Sequence, residues 1–222
     1  MEKQNILDHG FIELMNHTPD GDLLVVNAAR CSFDKEHKVF DEKGDTRLIN
    51  YLAREKHLLP FRHPNVTFRM HMPLFVARQL GKSQVGFSWS EVSRRYIKGE
   101  PEFYTPKTIR AKADNVKQGS SDEKHWNNTY LKMDMKSHQK KSVDLYNQML
   151  VQGVCAEQAR AVLPQSMYTT CVTTGTLLGW HHLFTQRSDP HTQWETQKYA
   201  RAIDFILSQV YPISWGALCE HS

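Results

Sequence analysis

The sequence predicts an α+β fold, and two observations lead to that prediction. Apolar side chains alternate with polar ones from Val66 to Met72, which is the period of a strand with one buried face. The last third of the chain instead carries apolar residues at helical spacing, as in the segment 202–210. Because strands are followed by helices rather than alternating with them, we expect one α+β domain over residues 1–222.

The composition is that of a globular protein with a small excess of positive charge. The chain has 222 residues, of which 40% are hydrophobic and 23% are charged, and its net charge is +4. A chain of this length buries a core without disulfides or a structural metal, and it is too apolar for disorder. The charge does not indicate a nucleic-acid partner, but it suits an anionic ligand if the cations are concentrated in one place.

The compartment is predicted from the apolar runs and the cysteines. No apolar run approaches the roughly 20 residues that a bilayer requires, and the N-terminus lacks the apolar segment of a signal peptide. The four cysteines form no CxxC pair, and no histidine stands in an HExxH context. We therefore expect a reduced, cytoplasmic protein that has no disulfide framework, no metal site and no membrane association.

The elements of the first half follow from local patterns. Residues 22–27 suit a buried strand or the start of a helix. Asp45 is expected to cap a helix that presents apolar residues of the segment 48–52 on one face. Pro73 is expected to end the strand that begins at Val66 and to stand in the first turn of the next helix.

The segment from residue 80 to residue 100 is predicted to be a long ordered loop that carries function. Hydroxyl, amide and cationic side chains are the donors that a phosphate needs. They are concentrated in and beside this loop at Gln79, Lys82, Ser83, Ser88, Ser90, Ser93, Arg94 and Arg95. An ordinary exposed basic loop is the alternative. Phe87, Trp89 and Tyr96 disfavour it, because three exposed aromatic rings are costly and indicate stacking or an interface.

The second half is predicted to be helical after a polar excursion. Residues 111–141 are strongly polar and lead into a helix that Gly153 ends. Further helices are expected over residues 156–162 and 174–186, and a third is expected to begin with Asp189 as its cap and Pro190 at its first position.

Two arginines in this region have open roles. Arg160 lies three residues after Glu157 on a predicted helix, so the two share a face and form either a surface ion pair or part of a site. Arg187 follows a helix, where it either lies beside a ligand or stabilises the helix end. Spacing alone does not choose between these roles.

Five motifs in order resemble the flavin-dependent thymidylate synthases (ThyX), and the resemblance spans about residues 6–215. The main motif is Ala77-Arg78-Gln79 followed by Ser88-Trp89-Ser90-Glu91-Val92-Ser93-Arg94-Arg95-Tyr96 and Glu102-Phe103-Tyr104. The other four motifs lie at residues 28–33, 57–63, 159–164 and 187–195. The resemblance implies a ThyX-like domain with a small antiparallel sheet and flanking helices.

The resemblance also implies a chemistry and an assembly. Family members are homotetramers whose active sites form where subunits meet, each holding FAD beside dUMP. They transfer a methylene group from 5,10-methylenetetrahydrofolate to the pyrimidine and reduce it with a hydride from FADH2, which NADPH regenerates. No protein nucleophile is needed, because the cofactors carry the chemistry and the protein positions the reactants.

Residue roles follow from the resemblance position by position. Arg187 matches a catalytic arginine, since a fixed cation beside the pyrimidine favours its ionised form. The positions that match dUMP contacts are Gln79, Lys82, Glu91, Ser93, Arg94, Arg95, Arg160 and Arg187. The positions that match FAD contacts are His57, Lys82, Ser83, Gln84, Glu91, Thr176 and His182.

The sequence departs from the family pattern mainly in the flavin half of the site. Lys82-Ser83-Gln84 stand where the family has Arg-His-Arg, and the loop before Ser88 is one residue longer. Ser90 and Leu59 replace an asparagine and a small hydroxyl residue. Two alternatives therefore accompany the synthase hypothesis. One is a divergent methylase or hydroxymethylase acting on dUMP or dCMP, and the other is a catalytically silent nucleotide-binding protein.

Overall fold

The computed structural model describes residues 3–97, 99–114 and 121–222. Within these residues it contains five strands and eight α-helices, linked by turns and short 3-10 segments. The strands are β1 (Lys3–Ile6), β2 (Gly10–His17), β3 (Asn65–Pro73), β4 (Phe87–Glu91) and β5 (Tyr168–Thr176). The helices are α1 (Gly21–Arg30), α2 (Gly44–Arg54), α3 (Leu74–Leu80), α4 (Asn128–Val151), α5 (Ala156–Ala159), α6 (Leu177–Ser188), α7 (Trp194–Val210) and α8 (Pro212–Glu220).

The five strands form one antiparallel sheet in the order β1-β2-β3-β5-β4. The longest unbroken pairing joins β3 to β5, from Asn65 opposite Thr176 to Pro73 opposite Tyr168. Because the two strands are antiparallel, the helix that follows β3 and the segment that precedes β5 lie at the same end of the sheet. The predicted α+β fold with a small antiparallel sheet is confirmed.

The core lies on one face of the sheet, beneath α6 and α7. Val66, Phe68, Met70 and Met72 are fully buried, as their alternation with polar residues predicts. Trp180 of α6 is also fully buried; its ring meets that of Phe68 edge-on at 5.0 Å, and its indole N–H donates to the Val66 carbonyl at 3.1 Å. Each such apolar side chain contributes about 1.5–3 kcal/mol by leaving water.

Two strands lie where the sequence analysis predicts other structure. The helix expected over residues 174–186 begins at Leu177, and the residues before it form β5. The loop expected over residues 80–100 contains β4, which pairs with β5. Both strands contain a period-two signal: β5 is rich in β-branched threonine, and β4 alternates aromatic residues with small polar ones. Turn-forming residues lie before and after both strands, so the alternation was not recognised as a strand pattern.

β4 is held against β5 by the ring of Phe87. This ring lies directly on Gly175, where a β-carbon would stand 2.4 Å from the nearest ring atom. The same ring packs edge-on against Trp180 at 4.8 Å. Only glycine at position 175 leaves room for this contact.

Two predicted helix caps are wrong. α2 begins at Gly44, so Asp45 lies inside its first turn and is fully buried. α7 begins at Trp194 rather than at Asp189 and Pro190. Asp189 instead follows α6 and accepts a hydrogen bond from the backbone N–H of His191 at 2.7 Å, so its carboxylate stabilises a turn between the two helices.

The predicted polar excursion over residues 111–141 is partly a helix. Residues 115–120 of it lie outside the described residues, and α4 begins at Asn128. The helix ends near Gly153, whose φ of +86° is the left-handed conformation expected at such a position. Its start was missed because the apolar periodicity of α4 is weak, and three of its four buried residues are polar.

Two further observations concern the described residues alone. Among them, no helix is both long and apolar enough to cross a membrane. No group of three or more His, Cys, Asp or Glu side chains in the same residues is arranged to hold a metal ion. The assignment of residues 1–222 to one domain stays a prediction.

Asp45 joins α1, α2 and the segment between them. Its carboxylate accepts from the Arg30 guanidinium at 2.6 Å and from the Asp41 backbone N–H at 2.9 Å, and it contacts His37 Nδ1 at 3.2 Å. Burial alone would raise the pKa of Asp45, but the hydrogen bonds from Asp41, Arg30 and His37 together hold it below its usual value.

We predict that Asp45→Asn lowers the free energy of unfolding by about 1.5–3 kcal/mol at neutral pH, because it removes the buried charge that pairs with the partly buried Arg30 guanidinium. A depressed carboxyl pKa contributes stability that is present above the unfolded-state pKa and is lost as the pH falls through the folded-state pKa. The gap between wild type and variant should therefore narrow in acid. Urea titrations at several pH values measure this gap, and a pH-independent gap would contradict the prediction.

Candidate active site

One cavity lies at the end of the sheet where β3 ends and β5 begins. Its volume is about 640 Å³. Four of the predicted site residues line it, namely Gln84, Glu91, Arg94 and Arg160. We call this cavity the Glu91 cleft. It combines a carboxylate with guanidinium groups, and guanidinium groups are well suited to binding phosphate.

Glu91 and Arg94 are held in place by their neighbours. The Glu91 carboxylate accepts from the Thr169 hydroxyl of β5 at 2.8 Å. Arg94 donates to the Gly99 carbonyl at 2.7 Å, and its guanidinium lies 5.7 Å from the centre of the Tyr146 ring of α4. Its Nε is buried and has no hydrogen-bond partner within the described part of the chain. A buried N–H of this kind fits an acceptor oxygen that a ligand would supply.

Glu157 and Arg160 both line the Glu91 cleft. Among the residues described, no ion pair joins them, although they share one face of α5 and the turn after it. The surface ion pair between Glu157 and Arg160, which their spacing allowed, is therefore not formed in the described residues. Both side chains line the cavity instead.

A second cavity of about 1060 Å³ contains Gln79 of α3 and Arg187 of α6. We call it the Arg187 cleft. Arg187 stands in the last turn of α6 and is half-buried. Its Nε is buried without a hydrogen-bond partner in the described residues, as is that of Arg94. The catalytic arginine predicted from the motif thus has a donor available for a ligand.

A third cavity of about 460 Å³, the His182 cleft, is lined by His181 and His182 of α6. It shares Thr185 and Gln186 with the Arg187 cleft, so the two cavities are neighbours along this helix. Burial, and then the Arg62 charge, lower the pKa of His182, which keeps its imidazole neutral at neutral pH. Lys56 and Leu58 line the same cavity, which places His57 beside it.

The structure does not bring all the predicted residues together. His57, Lys82, Ser83, Ser93, Arg95 and Thr176 are not among the residues that line these three cavities. The Thr176 hydroxyl caps α6 by accepting the Gly179 N–H at 3.0 Å, and the Ser83 carbonyl accepts from Trp89 Nε1 at 3.0 Å. The guanidinium of Arg95 lies 5.2 Å from the Tyr96 ring. Within one chain, Thr176, Ser83 and Arg95 therefore make local structural contacts.

Sequence reasoning missed two arginines and a carboxylate. Arg78 lines the Glu91 cleft, and Arg110 lines the Arg187 cleft. Arg110 also forms an ion pair with the buried Glu195 at 2.9 Å. Arg78 stood inside the main motif and could have been found there, whereas nothing in the spacing around Arg110 signals a role.

Comparison with known proteins decides the family. The family model described as "Thymidylate synthase complementing protein" matches residues 13–213. The chain belongs to this family. It is 36% identical over 220 residues to a flavin-dependent thymidylate synthase of Thermus thermophilus, covering 97% of this chain and 78% of that protein. It is also 36% identical over 218 residues to the enzyme of the same name from Thermotoga neapolitana, covering 98% and 94%.

A solved structure shares the fold of this family member. The crystal structure of a UMP/dUMP methylase, PolB from Streptomyces cacaoi, matches with a TM-score of 0.87 at 24% identity, and the match covers 98% of this chain and 97% of that one. At this identity the likeness concerns the fold alone. The ThyX resemblance and the α+β prediction are both confirmed.

Cys171 is the one cysteine that lines the Glu91 cleft in the described part of the chain. Its side chain is buried on β5, opposite Glu91 in the strand pairing. Burial, and then the Glu91 charge, raise the pKa of the Cys171 thiol to about 12. The thiol is therefore protonated at neutral pH and is a poor nucleophile.

We predict that Cys171→Ala retains the turnover number of the wild type within about threefold, because the protonated thiol only fills space beside Glu91. Steady-state rates at saturating substrates measure this, with Cys155→Ala on the exposed surface as the matched control. A Cys171→Ala protein that folds and binds flavin but has lost turnover would contradict the prediction.

Proposed function

We propose that this protein is a flavin-dependent thymidylate synthase. It would convert dUMP to dTMP, with 5,10-methylenetetrahydrofolate as the carbon donor and NADPH as the source of the hydride. Family membership supports the reaction class. The observation that carries the proposal is the pair of buried Nε donors of Arg94 and Arg187, which have no hydrogen-bond partner among the described residues. Each lies in a cavity that also holds another predicted nucleotide contact.

The arginines have different tasks in this proposal. Arg94 and Arg160 in the Glu91 cleft would bind the phosphate, since guanidinium groups form charge-assisted hydrogen bonds to phosphate oxygens. Arg187 would lie against the pyrimidine and stabilise the negative charge of the ionised ring. The surroundings hold Arg94 and Arg187 in partly buried positions, where such interactions are stronger than in water.

The donor set fits a flavin with two phosphates. Lys82 is exposed at the loop between α3 and β4, and the neutral imidazole of His182 lines a cavity next to the Arg187 cleft. Lys82 and His182 would hold the FAD, which supplies hydride-transfer chemistry between NADPH and the pyrimidine when bound. Lys82 would then contact the diphosphate, and His182 would contact the ring system or the ribose.

The proposed assembly is a homotetramer with sites at subunit contacts. Two features support it: the predicted residues are divided among separate cavities of one chain, and the outer face of α4 exposes large apolar side chains. Tyr130 is 69% exposed and Met133 is 62% exposed, which is unfavourable in a monomer. We place the protein in the cytoplasm, because all four cysteines are free, as in a reducing compartment.

A product assay tests the function. Purified protein with FAD and NADPH is incubated with labelled methylenetetrahydrofolate and, separately, with dUMP, UMP or dCMP, and mass spectrometry identifies each product. We expect dTMP from dUMP. A hydroxymethylated or dCMP-derived product would establish the divergent methylase instead. A colourless protein that takes up no FAD would favour the silent nucleotide-binding protein.

We predict that Arg187→Ala abolishes turnover at saturating dUMP but leaves the fold intact, since Arg187 is half-buried and its loss opens no core cavity. The matched control is Arg54→Ala, which removes an arginine 59% exposed on α2 and should leave the rate unchanged. Rates are measured by dTMP formation, and folding by circular dichroism. If Arg187→Ala turned over dUMP at the wild-type rate, Arg187 would only stabilise the C-terminal end of α6.

We predict that Ser83→His with Gln84→Arg tightens FAD binding roughly ten- to hundredfold, because it restores a planar fork that binds two phosphate oxygens. Titration of the apo-protein with FAD, followed by flavin fluorescence, measures the dissociation constant. Lys82→Ala should weaken the same binding. If neither protein differs from wild type, the loop does not contact the flavin.

A further inference from the structure

A chain of hydrogen bonds starts at the buried carboxylate of Glu195, on the first turn of α7. Glu195 is only 4% exposed. Its Oε1 accepts from the Tyr104 hydroxyl at 3.1 Å and from the Arg110 guanidinium at 2.9 Å. Its other oxygen, Oε2, accepts from Nε2 of Gln193 at 3.1 Å. Both oxygens of this carboxylate are therefore engaged.

The chain continues from Gln193 to Gln79. The Gln193 carbonyl oxygen Oε1 accepts from the amide nitrogen Nε2 of Gln79. The Gln79 oxygen Oε1 in turn accepts from the hydroxyl of Thr196, which is fully buried, at 3.1 Å. Gln79 and Gln193 both line the Arg187 cleft, so the hydrogen-bond chain ends in the cavity that the predicted catalytic arginine also lines.

The charge of Glu195 dictates the direction of every bond in this chain. An ionised carboxylate only accepts, so Gln193 must turn its NH2 group toward it. The Gln193 oxygen then points at Gln79, which must turn its own NH2 group toward that oxygen. The Gln79 oxygen is thereby left facing Thr196, whose hydroxyl must donate. One buried negative charge thus fixes the orientation of two amide groups.

This direction makes Gln79 a hydrogen-bond donor in the Arg187 cleft. Its amide nitrogen carries two N–H groups, and one of them is used by Gln193. The structure gives the second N–H no partner within the described residues. An oxygen of the nucleotide, on the phosphate or on the pyrimidine, is an acceptor that matches it.

We infer that Glu195 is a positioning residue for the nucleotide: its carboxylate acts through Gln193 to hold the Gln79 amide as a donor toward dUMP. The inference rests on the proposed function, since it takes Gln79 as a contact of dUMP. Glu195 itself touches no reacting atom. Its role differs from that of a structural anchor, because the exposed Gln193 link adds little to folding stability but transmits the orientation.

Glu195→Gln gives a sharp test because the new side chain has the shape of the old one but reverses the donor–acceptor direction of the hydrogen bonds that lead to Gln79. Tyr104 and Arg110 both donate, so they select the oxygen of the new amide and leave its NH2 group facing Gln193. Gln193 and then Gln79 must flip, which turns the Gln79 oxygen toward Gln193 and its NH2 group toward Thr196. The donor on Gln79 is then directed away from the ligand.

Calorimetric titration of the FAD-loaded protein with dUMP, together with steady-state kinetics, measures the effect. We expect Glu195→Gln and Gln193→Met each to weaken dUMP binding and to raise its KM about tenfold, with a much smaller change in kcat. FAD affinity should be unchanged. Gln79→Met should weaken dUMP binding by a similar factor, and combining it with Gln193→Met should cause no further loss, because both variants break one chain.

The control is Tyr104→Phe, which removes a donor to Glu195 but leaves the direction of the chain intact. It should lower the melting temperature and leave dUMP affinity at the wild-type value. Wild-type dUMP affinity in Gln193→Met, or losses that add in the double variant, would overturn the inference. If Glu195→Gln does not fold, the dUMP affinity of Gln193→Met alone decides whether the inference holds. A wild-type protein that binds no dUMP would instead refute the proposed function.

Discussion

The nine-residue pairing between β3 and β5 is the constraint on which the rest of the structure depends. It runs without a bulge from Asn65 opposite Thr176 to Pro73 opposite Tyr168. The apolar face of these two strands packs against the core, and each strand continues directly into a helix. A register shift of one residue would expose these apolar side chains and turn polar ones inward, so burial fixes the register.

The same pairing assembles the site. Helix α3 follows the last residue of β3, and the turn that contains Arg160 precedes the first residue of β5. Because β3 and β5 are antiparallel, the helix and the turn lie at the same end of the sheet. Helix α6 begins at the opposite end of β5, and the Arg187 in its last turn lines the same cavity as Gln79. Residues more than a hundred positions apart in sequence, such as Gln79 and Arg187, thereby share a cavity.

Sequence reasoning correctly predicted β3, the apolar face of α2 and the family, whereas the roles of Arg94 and Arg187 stay predictions. It failed where local signals were mixed. β5 is built largely from threonine between turn-forming residues, and the Asp189-Pro190 pair has the chemistry of a helix start but forms a turn. The grouping of site residues into three cavities, and the link from Glu195 to Gln79, depend on tertiary contacts that no local pattern contains.

The contact of Phe87 with Gly175 has a consequence for how this family can diverge. The ring fixes the start of β4 on the neighbouring strand, and α3 fixes the other end of the connecting segment at Gly81. Because lengthening a surface loop costs little free energy, a residue added between these two anchors need not change the strand register. The segment 82–85 can therefore vary in length and chemistry during evolution, whereas Gly86 is fixed by its φ of +79° and by the Thr176 N–H, which donates to its carbonyl at 3.0 Å. Under the proposed function, substitutions in this segment would change the affinity for the flavin while the residues that bind the nucleotide stay unchanged.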